Sequence, residues 1–349
     1  MKKIRLGVVG CGGIFQWAHL PAIMSLKNEI EIVAVCDTKL ERTSIAGIPE
    51  TAKKYINYMD LIEDEDVDAI SICTPNYYHS VIAVEALNNG KHVICEKPDA
   101  ISVSEMQKII DAEKRSGKIF MAVRNVRMYD ANKYFKEIIE QGKCGKIYSG
   151  RCFYVRRRGI PEISMFTTKS LSGGGALVDV GIHALDLAIY LMGNPKAVAV
   201  SSCTYDYFCK SKSVNSNDRE NLEKNIIDVE DSAIGFVRFD NGSCLQLEFC
   251  WAGNLEKEEF GVELRGTNRG IRFSSDDSKN VVWGEENGVL TDTKINAKRV
   301  STHDKVYKNF IGTINGTEVP NYTTEQGMNI IKILEGFYKS AECGEEIKI

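Results

Sequence analysis

The sequence predicts an α/β protein of two domains, in which a doubly wound parallel sheet precedes an α+β domain built on a mainly antiparallel sheet. Through the first domain, short apolar runs alternate with helical stretches, which is typical of parallel strands covered on both faces. The predicted strands of that sheet are 5–9, 31–37, 67–73, 92–95 and 119–123. Near residue 124 the alternation ends, and we expect the domains to be 1–123 and 124–349.

The predicted strands of the second domain have one apolar and one polar face. Residues 244–251 alternate between apolar and polar side chains, and the hairpin turn Asp240-Asn241-Gly242 joins them to the strand 232–239. Such strands indicate antiparallel pairing with one face open to solvent. The polar segment 210–225 is expected to form a surface loop.

Composition excludes several classes of function. The 44 basic and 48 acidic residues give a net charge of −4, which offers no broad field for nucleic acid. No apolar run approaches the ~18 residues of a membrane span. The eleven cysteines include no C-x-x-C pair and lie mostly in apolar runs, as buried reduced thiols do. We therefore expect a cytoplasmic protein whose partners are neither nucleic acid nor membrane.

A glycine-rich turn follows the first predicted strand. In Gly10-Cys11-Gly12-Gly13-Ile14-Phe15, Gly10 permits a tight turn and Gly12 lets the backbone approach a pyrophosphate. The positive end of the next helix then faces the phosphates. Phe15 is bulkier than the small third residue of this pattern. The turn by itself is therefore a weak indication of a dinucleotide site.

The second predicted strand ends at Asp37, 27 residues beyond Gly10. Its carboxylate can accept hydrogen bonds from a ribose hydroxyl, although a helix-capping aspartate would occupy the same position. The succession of strand, glycine turn, helix, strand and acid favours a dinucleotide site. We expect NAD to be preferred over NADP, because Asp37 would repel a 2′-phosphate, while the nearby Lys39 and Arg42 could reduce that preference.

A lysine stands where open α/β sheets hold their ligands. The strand His92-Val93-Ile94-Cys95 ends in Glu96-Lys97-Pro98, and the proline places Lys97 on a rigid turn. The alternative is a strand end with two solvated charges.

Asp179 and His183 are spaced i, i+4 after the triplet Gly173-Gly174-Gly175, and Asp186 follows His183 at i+3. On a helix, all three lie on one face. They could form an acid–base pair or a metal site, or His183 could be a buried histidine satisfied by a helix neighbour. The glycines favour a functional interpretation, because they allow the close approach of a ligand.

These motifs resemble those of the Gfo/Idh/MocA oxidoreductases, the family that includes inositol dehydrogenase. The resemblance is carried by Gly10 to Ile14, Asp37, Thr74-Pro75-Asn76 with His79, Glu96-Lys97-Pro98, Gly173 to His183, Asp228 to Asp231, Asn241-Gly242 and the helix Thr324 to Cys343. It implies an N-terminal Rossmann domain and an enzyme that moves hydride between NAD(P) and a hydroxyl-bearing carbon of a sugar, glycoside or cyclic polyol. It also implies a homodimer or homotetramer that pairs through the open sheet face.

The motifs and the resemblance together give the predicted site residues. The cofactor residues are Gly10, Gly12, Gly13, Ile14, Asp37, Arg42, Thr74, Pro75, Asn76, His79, Glu96, Lys97 and Asn125. The substrate residues are Arg127, Tyr154, Arg156, Arg158, Asp179 and His183. Three adjacent arginines, 156–158, are more often solvated than ligand-binding, and this alternative stays open.

Oxidising an alcohol requires a base for the hydroxyl proton. His183 has the ordinary pKa nearest neutrality and is the best candidate, with Asp179 to orient its ring. Lys97 would stabilise the negative charge that develops on the oxygen. No metal is needed for this chemistry. Two other classes of function are an NAD-dependent glycoside hydrolase or lyase acting through transient oxidation, and a non-catalytic protein that senses the dinucleotide.

Overall fold

A computed structural model describes residues 3–210, 227–298 and 300–349, apart from the side chain of Ser164. The predicted polar loop 210–225 lies outside the described residues except for Lys210. The strands are β1 Ile4–Val9, β2 Ile30–Cys36, β3 Lys53–Tyr55, β4 Ala69–Ile72, β5 His92–Cys95, β6 Phe120–Ala122, β7 Ile147–Val155, β8 Ala197–Tyr205, β9 Ser232–Phe239, β10 Cys244–Cys250, β11 Glu259–Gly266, β12 Gly270–Ser274, β13 Val281–Glu286, β14 Val289–Lys294 and β15 Ile347–Lys348.

The described helices alternate with the strands as far as β6. Afterwards most of them lie before β8 or after β14. They are α1 Leu20–Ser25, α2 Tyr58–Ile62, α3 Tyr77–Asn88, α4 Val103–Ser116, α5 Asp130–Glu140, α6 Ser164–Thr167, α7 Lys169–Ser172, α8 Ile182–Leu191, α9 His303–Ile314 and α10 Thr324–Cys343. Two π-helical turns, Phe15–His19 and Leu177–Gly181, lead into α1 and α8. Such turns are rare in proteins, and those that occur are often found at functional sites.

The chain divides into two compact units. The first comprises Met1–Asn125 and Ser301–Met328, and the second comprises Val126–Val300 and Asn329–Ile349. The first division lies two residues from the predicted boundary. The sequence did not predict that the segment containing α9 returns to the first unit.

The first unit contains a sheet of six parallel strands in the order β3-β2-β1-β4-β5-β6. Because all strands run the same way, their carboxyl ends lie along one edge of the sheet. The strand order reverses between β1 and β4, and ligands of such sheets bind at that point. The predicted parallel sheet is confirmed, and it brings the turns after β1, β2, β4 and β5 to the same edge.

The second unit contains a nine-stranded mixed sheet in the order β14-β13-β12-β11-β7-β10-β9-β8-β15. Among the described strand pairs of this sheet, only β7–β10 is parallel, which confirms the prediction of a mainly antiparallel sheet. One face is covered by helical segments. There the π turn before α8 packs on β10 so closely that a Cβ atom on Gly181 would lie 2.6 Å from the Phe249 ring.

One helical run, Lys169–Leu191, is long and apolar enough to cross a membrane. However, 83% of its most apolar window is buried within the protein, as in the core helix of a folded domain. The run packs against the second sheet, which explains its apolar character. It also contains Asp179 and His183.

Candidate active site

The glycine turn after β1 has the conformation that its sequence requires. Gly10 has a φ of +93°, and a Cβ atom there would lie 2.6 Å from the carbonyl oxygen of Cys73. At Gly12, by contrast, a Cβ atom would meet nothing within 4 Å. Phe15, the bulky third residue of the pattern, is fully buried in the core. The turn therefore leaves an open side at Gly12 that fits the approach of a pyrophosphate.

Asp37 ties the end of β2 to the glycine turn. Its Oδ2 accepts a hydrogen bond from the backbone N–H of Cys11 at 2.9 Å, and its Oδ1 accepts one from Lys39 at 2.9 Å. Nη1 of Arg42 lies 3.9 Å from Oδ2. A carboxylate offers about four acceptor positions, so Asp37 can still accept hydrogen bonds from ribose hydroxyls, as predicted from the sequence.

The turn after β4 is braced internally by His79. Its Nδ1 lies 2.7 Å from the carbonyl oxygen of Pro98, and its Nε2 lies 2.8 Å from that of Thr74. The ring is buried, and burial lowers its pKa. Since both ring nitrogens face backbone carbonyl oxygens of the neighbouring turns, we interpret His79 as part of the frame of the site. The hydroxyl oxygen of Thr74 is buried with no hydrogen-bond partner within the described protein, and it fits a ligand at this edge.

Lys97 follows β5 and is half-buried, and its backbone N–H donates to Oε2 of Glu96 at 3.1 Å. The other carboxylate oxygen, Oε1, lies 2.8 Å from Nε2 of His19 and 3.7 Å from Nε2 of His303. Burial alone would raise the pKa of Glu96, but the hydrogen bonds from the two histidines hold it well below its usual value. The carboxylate therefore faces inward, and its contact with a cofactor stays a prediction.

His19, Glu96 and His303 form a buried group of potential metal ligands that the sequence did not predict. The two histidines are far apart in the chain, and nothing in their spacing indicates that they meet. Both nitrogens of His19 already have hydrogen-bond partners, Glu96 on one side and the hydroxyl of Tyr307 at 2.8 Å on the other. We therefore interpret the group as a hydrogen-bonded network.

Asn125, Pro75 and Asn76 lie at the same edge of the first unit. Asn76 is the N-terminal flanking residue of α3, and Pro75 precedes it in the turn after β4. Asn125 follows β6, and its carbonyl oxygen accepts a hydrogen bond from Thr302 at 2.7 Å. Gly13 and Ile14 complete the turn after β1. Their contacts with a cofactor stay a prediction.

In the second unit, the helical stretch from Gly174 to Ile189 is buried at every position except Asp179 and His183. These two side chains are half-buried, and they are the predicted acid–base pair. Oδ2 of Asp179 accepts a hydrogen bond of 3.0 Å from Nε1 of Trp251, which is fully buried. The sequence placed Trp251 on the apolar face of its strand but did not predict this bond.

A buried acid holds the start of the same stretch. The carboxylate of Glu230 accepts hydrogen bonds from the backbone N–H groups of Gly175 and Leu177 at 2.9 and 3.0 Å, and from the hydroxyl of Tyr338 at 2.9 Å. Burial raises the pKa of Glu230. Since the first N–H groups of a helix lack partners within it, Glu230 satisfies them and fixes the segment that carries Asp179.

Arg127 and Asp186 form a buried ion pair, with Nε and Nη2 of the arginine 2.8 and 2.6 Å from the two carboxylate oxygens. Arg127 is 2% exposed, and its guanidinium lies 4.6 Å from the centre of the Tyr190 ring. Asp186 is therefore buried and does not share a half-buried face with Asp179 and His183, contrary to the prediction that all three lie together. We interpret Arg127, predicted to contact substrate, as a structural residue because its charge is neutralised in the interior.

The predicted arginine cluster separates into two environments. Nη2 of Arg156 donates to the hydroxyl of Tyr154 at 2.9 Å, and the Tyr154 ring packs against the buried cluster that contains Trp251. Arg158 instead binds the carbonyl oxygen of Gly253 at 3.0 Å and is exposed. Tyr154 and Arg156 thus lie beside the apolar cluster whose Trp251 bonds Asp179, whereas Arg158 is bonded to a surface loop.

A parallel sheet with a glycine turn and an acid at its edge, together with a carboxylate–imidazole pair in an α+β unit, defines a class of dinucleotide-dependent oxidoreductases. The chain belongs to the Gfo/Idh/MocA oxidoreductase family. Residues 4–123 match the family's NAD-binding Rossmann-fold domain, and residues 136–349 match its C-terminal α/β domain. The resemblance drawn from the sequence is confirmed.

Several relatives are similar over most or all of the chain. D-glucoside 3-dehydrogenase of Escherichia coli is 28% identical over 351 residues, which cover 100% of this chain and 98% of the relative. Levoglucosan dehydrogenase of Pseudarthrobacter phenanthrenivorans is 31% identical over 78% of this chain and 74% of its own. A solved structure of levoglucosan dehydrogenase in complex with NADH superposes with a TM-score of 0.86 at 21% identity, covering 100% of this chain and 99% of that one. The last comparison confirms the fold.

Proposed function

We propose that the protein is an NAD-dependent dehydrogenase that oxidises a secondary ring hydroxyl of a sugar, glycoside or cyclic polyol. The observation that carries the proposal is the half-buried pair Asp179 and His183, the only break in an otherwise buried helical stretch of the second unit. A half-buried carboxylate and imidazole on one helical stretch are the groups that proton transfer from an alcohol requires.

Each residue has a distinct role in this proposal. His183 accepts the hydroxyl proton, and Asp179, itself fixed by Trp251, orients the imidazole. Lys97 donates a hydrogen bond to the oxygen as its negative charge develops. NAD, when bound, supplies the acceptor for the hydride that leaves the carbon.

The first unit provides the features that NAD binding needs. Gly12 leaves space for the pyrophosphate, Asp37 retains acceptor capacity for ribose, and the Thr74 hydroxyl lacks a partner within the described protein. We propose that NAD is preferred over NADP, because Asp37 would oppose a 2′-phosphate. Arg42, whose side chain is 43% exposed, reduces but does not reverse this preference.

The substrate class is supported by the relatives and by the charge of the second unit's site. Two relatives that cover most of the chain are named for uncharged sugars, a D-glucoside and levoglucosan. Arg156, held by Tyr154, can hydrogen-bond vicinal hydroxyls through its planar fork of donors. We therefore propose neutral glycosides and cyclic polyols as substrates.

We also propose a cytoplasmic homo-oligomer that pairs through the open face of the second sheet. On β9, Ile234 is 48% exposed and shares this face with Phe236. The row that continues across β10, β7 and β11 from Phe236 consists of Gln246, Arg151 and Glu263. A face that mixes apolar side chains with paired charges suits contact with a second copy. Light scattering that gives 39.0 kDa at micromolar concentration would contradict the oligomer.

The function is tested by a turnover screen. The protein is assayed for NADH formation with inositols, free hexoses, methyl glucosides, nitrophenyl glucosides and anhydrosugars, using NAD and NADP separately. We expect NAD-dependent turnover of at least one neutral glycoside or polyol. Release of nitrophenol without net NADH would identify a hydrolase or lyase instead, and cofactor binding with no turnover across the panel would indicate a binding protein.

A further inference from the structure

A buried polar network lies behind the turn that carries Lys97. It consists of Ser71, Tyr307, His19, Glu96 and His303, and we name it the His19 network. Every member is at least nine-tenths buried. The Ser71 hydroxyl lies 2.8 Å from that of Tyr307, which lies 2.8 Å from Nδ1 of His19, and Nε2 of His19 lies 2.8 Å from Glu96. The chain of contacts ends at the peptide N–H of Lys97, which donates to the second oxygen of Glu96.

The protons of this network can be assigned from its contacts. Burial lowers the pKa of His19, while the hydrogen bonds of Glu96 keep its pKa well below the usual value. Near neutral pH the imidazole is therefore neutral and the carboxylate charged. A carboxylate can only accept, so the single N–H of His19 is on Nε2. Nδ1 then accepts a hydrogen bond from the Tyr307 hydroxyl, whose oxygen accepts one from the Ser71 hydroxyl. Each of these three donors therefore has an acceptor within the His19 network.

The network joins parts of the first unit that are distant in sequence. His19 is the last residue of the π turn that follows the glycine turn, Glu96 follows β5, and Tyr307 comes from α9, in the segment that returns to the first unit. The Glu96 carboxylate is consequently fixed from both sides, by His19 at one oxygen and by the Lys97 peptide at the other. Moving this carboxylate would move the turn.

We propose that His19 is a positioning residue for Lys97, which it holds in place through Glu96 by means of its Nε2–H. The inference rests on the role of Lys97 in the proposed dehydrogenase. It differs from a merely structural role because it requires one donor at one atom. A group that offers this donor without an imidazole preserves the position of Lys97, whereas an aromatic ring of similar size without the donor does not.

The test compares His19→Gln, whose amide can still donate to Glu96, with His19→Phe, which fills the space without a donor. His92→Gln is the matched control, because His92 is the first residue of β5, after which Glu96 follows, and its ring accepts a hydrogen bond from the backbone N–H of Ile119 at 3.2 Å. For His19→Phe we expect kcat to fall roughly 10–100-fold with the KM for NAD within about 3-fold, as expected when a reacting group is misplaced. His19→Gln and His92→Gln should stay within about 3-fold of the wild type.

Two further measurements separate this inference from the proposed function. Hydrogen exchange should show the Lys97 amide exchanging about 10-fold faster in His19→Phe than in the wild type, and this readout needs no turnover. The His19→Phe/Glu96→Gln double variant should be no slower than its slower parent, because residues that act through one contact are not additive. If His19→Phe fails to fold, Tyr307→Phe, which removes one hydroxyl, should give the same pattern more weakly.

Several results would overturn the inference. One is a His19→Phe enzyme with wild-type kcat and Lys97 exchange while Lys97→Met is inactive. Another is strict additivity in the double variant. Stabilisation of the wild type but not of His303→Gln by equimolar Zn²⁺ would show that the group is a metal site. Full activity of Lys97→Met would instead overturn the proposed function, with the exchange data still deciding whether His19 holds the turn.

Discussion

The two units hold their chemical groups in different ways. In the first unit, Lys97 stands on a turn whose backbone is fixed from behind by buried polar groups, with Glu96 bonded to His19 and His79 bonded to Pro98. In the second unit, Asp179 and His183 are the half-buried positions of an otherwise buried helical stretch that packs on the sheet, with Glu230 bonded to the start of the stretch and Trp251 bonded to Asp179.

This difference indicates which changes the candidate residues of each unit can tolerate. A polar network keeps its position only while every donor and acceptor is paired, because a partner left unpaired in the interior is destabilising. A helical segment that packs on a sheet keeps its position mainly through shape and depends less on any one hydrogen bond. The first unit should therefore be sensitive to the removal of single atoms, and the second more to changes in volume.

The largest effect is expected from Lys97→Met, which keeps the length of the side chain and removes its charge. We expect kcat to fall about 10²–10⁴-fold, because electrostatic assistance to the substrate oxygen is lost. The affinity for NADH, measured by fluorescence, should stay within about 3-fold of the wild type, since the lost interaction acts mainly in the transition state of the substrate. A variant that retains more than about a tenth of the wild-type rate would contradict the role of Lys97.

A smaller effect is expected in the second unit from Trp251→Phe. The variant keeps an aromatic ring and loses the N–H that bonds Asp179 at 3.0 Å. We expect kcat to fall about 10-fold, the equivalent of one charge-assisted hydrogen bond, with little change in NADH affinity. Trp283→Phe, on β13 of the same unit, is the control and should leave kcat unchanged. Equal losses in both variants would show a general effect of packing.

The sequence predicted the local features of the site well and the long-range ones poorly. The glycine turn, Asp37 and the Asp179–His183 pair each follow from residues close together in the chain, where strand and helix periodicity decide the arrangement. The Trp251–Asp179 bond, the Glu230 cap and the His19 network join residues from separate elements. Arg127 illustrates the limit, because its partner Asp186 is 59 positions away and only the fold shows that their charges cancel.

The arginine cluster offers a third comparison, within the second unit. Arg156→Met should raise the KM for the best substrate about 5–10-fold, because it removes hydrogen bonds worth about 1–1.5 kcal/mol. Arg158 already binds Gly253 and Asn254, so Arg158→Met should change KM less than about 2-fold. This refines the expectation from the sequence, in which both arginines were equal candidates. Equal KM values for both variants and the wild type would place the substrate elsewhere.

The smallest effect concerns acid stability, for which the first unit should again be the more sensitive. Four of the five histidines lie in the first unit. Burial is the main cause that lowers the pKa of His19, His79 and His92, with His92 reaching about 4. A histidine with a lowered pKa takes up its proton in the unfolded chain first. The unfolded state therefore binds more protons as the pH falls from 6.5 towards 4, and the free energy of unfolding decreases over that window.

His92→Gln isolates one contribution to this decrease. The full shift would be worth about 2 kcal/mol at pH 5, and we expect about 1 kcal/mol because His92 is partly exposed and its charge partly screened. Urea unfolding of the wild type and the variant is compared at pH 7.5 and 5. Whatever difference the lost Ile119 contact causes at pH 7.5 should move by about 1 kcal/mol in favour of the variant at pH 5, because the variant has no proton to bind there. A difference that is the same at both pH values would show that His92 takes no part in acid destabilisation.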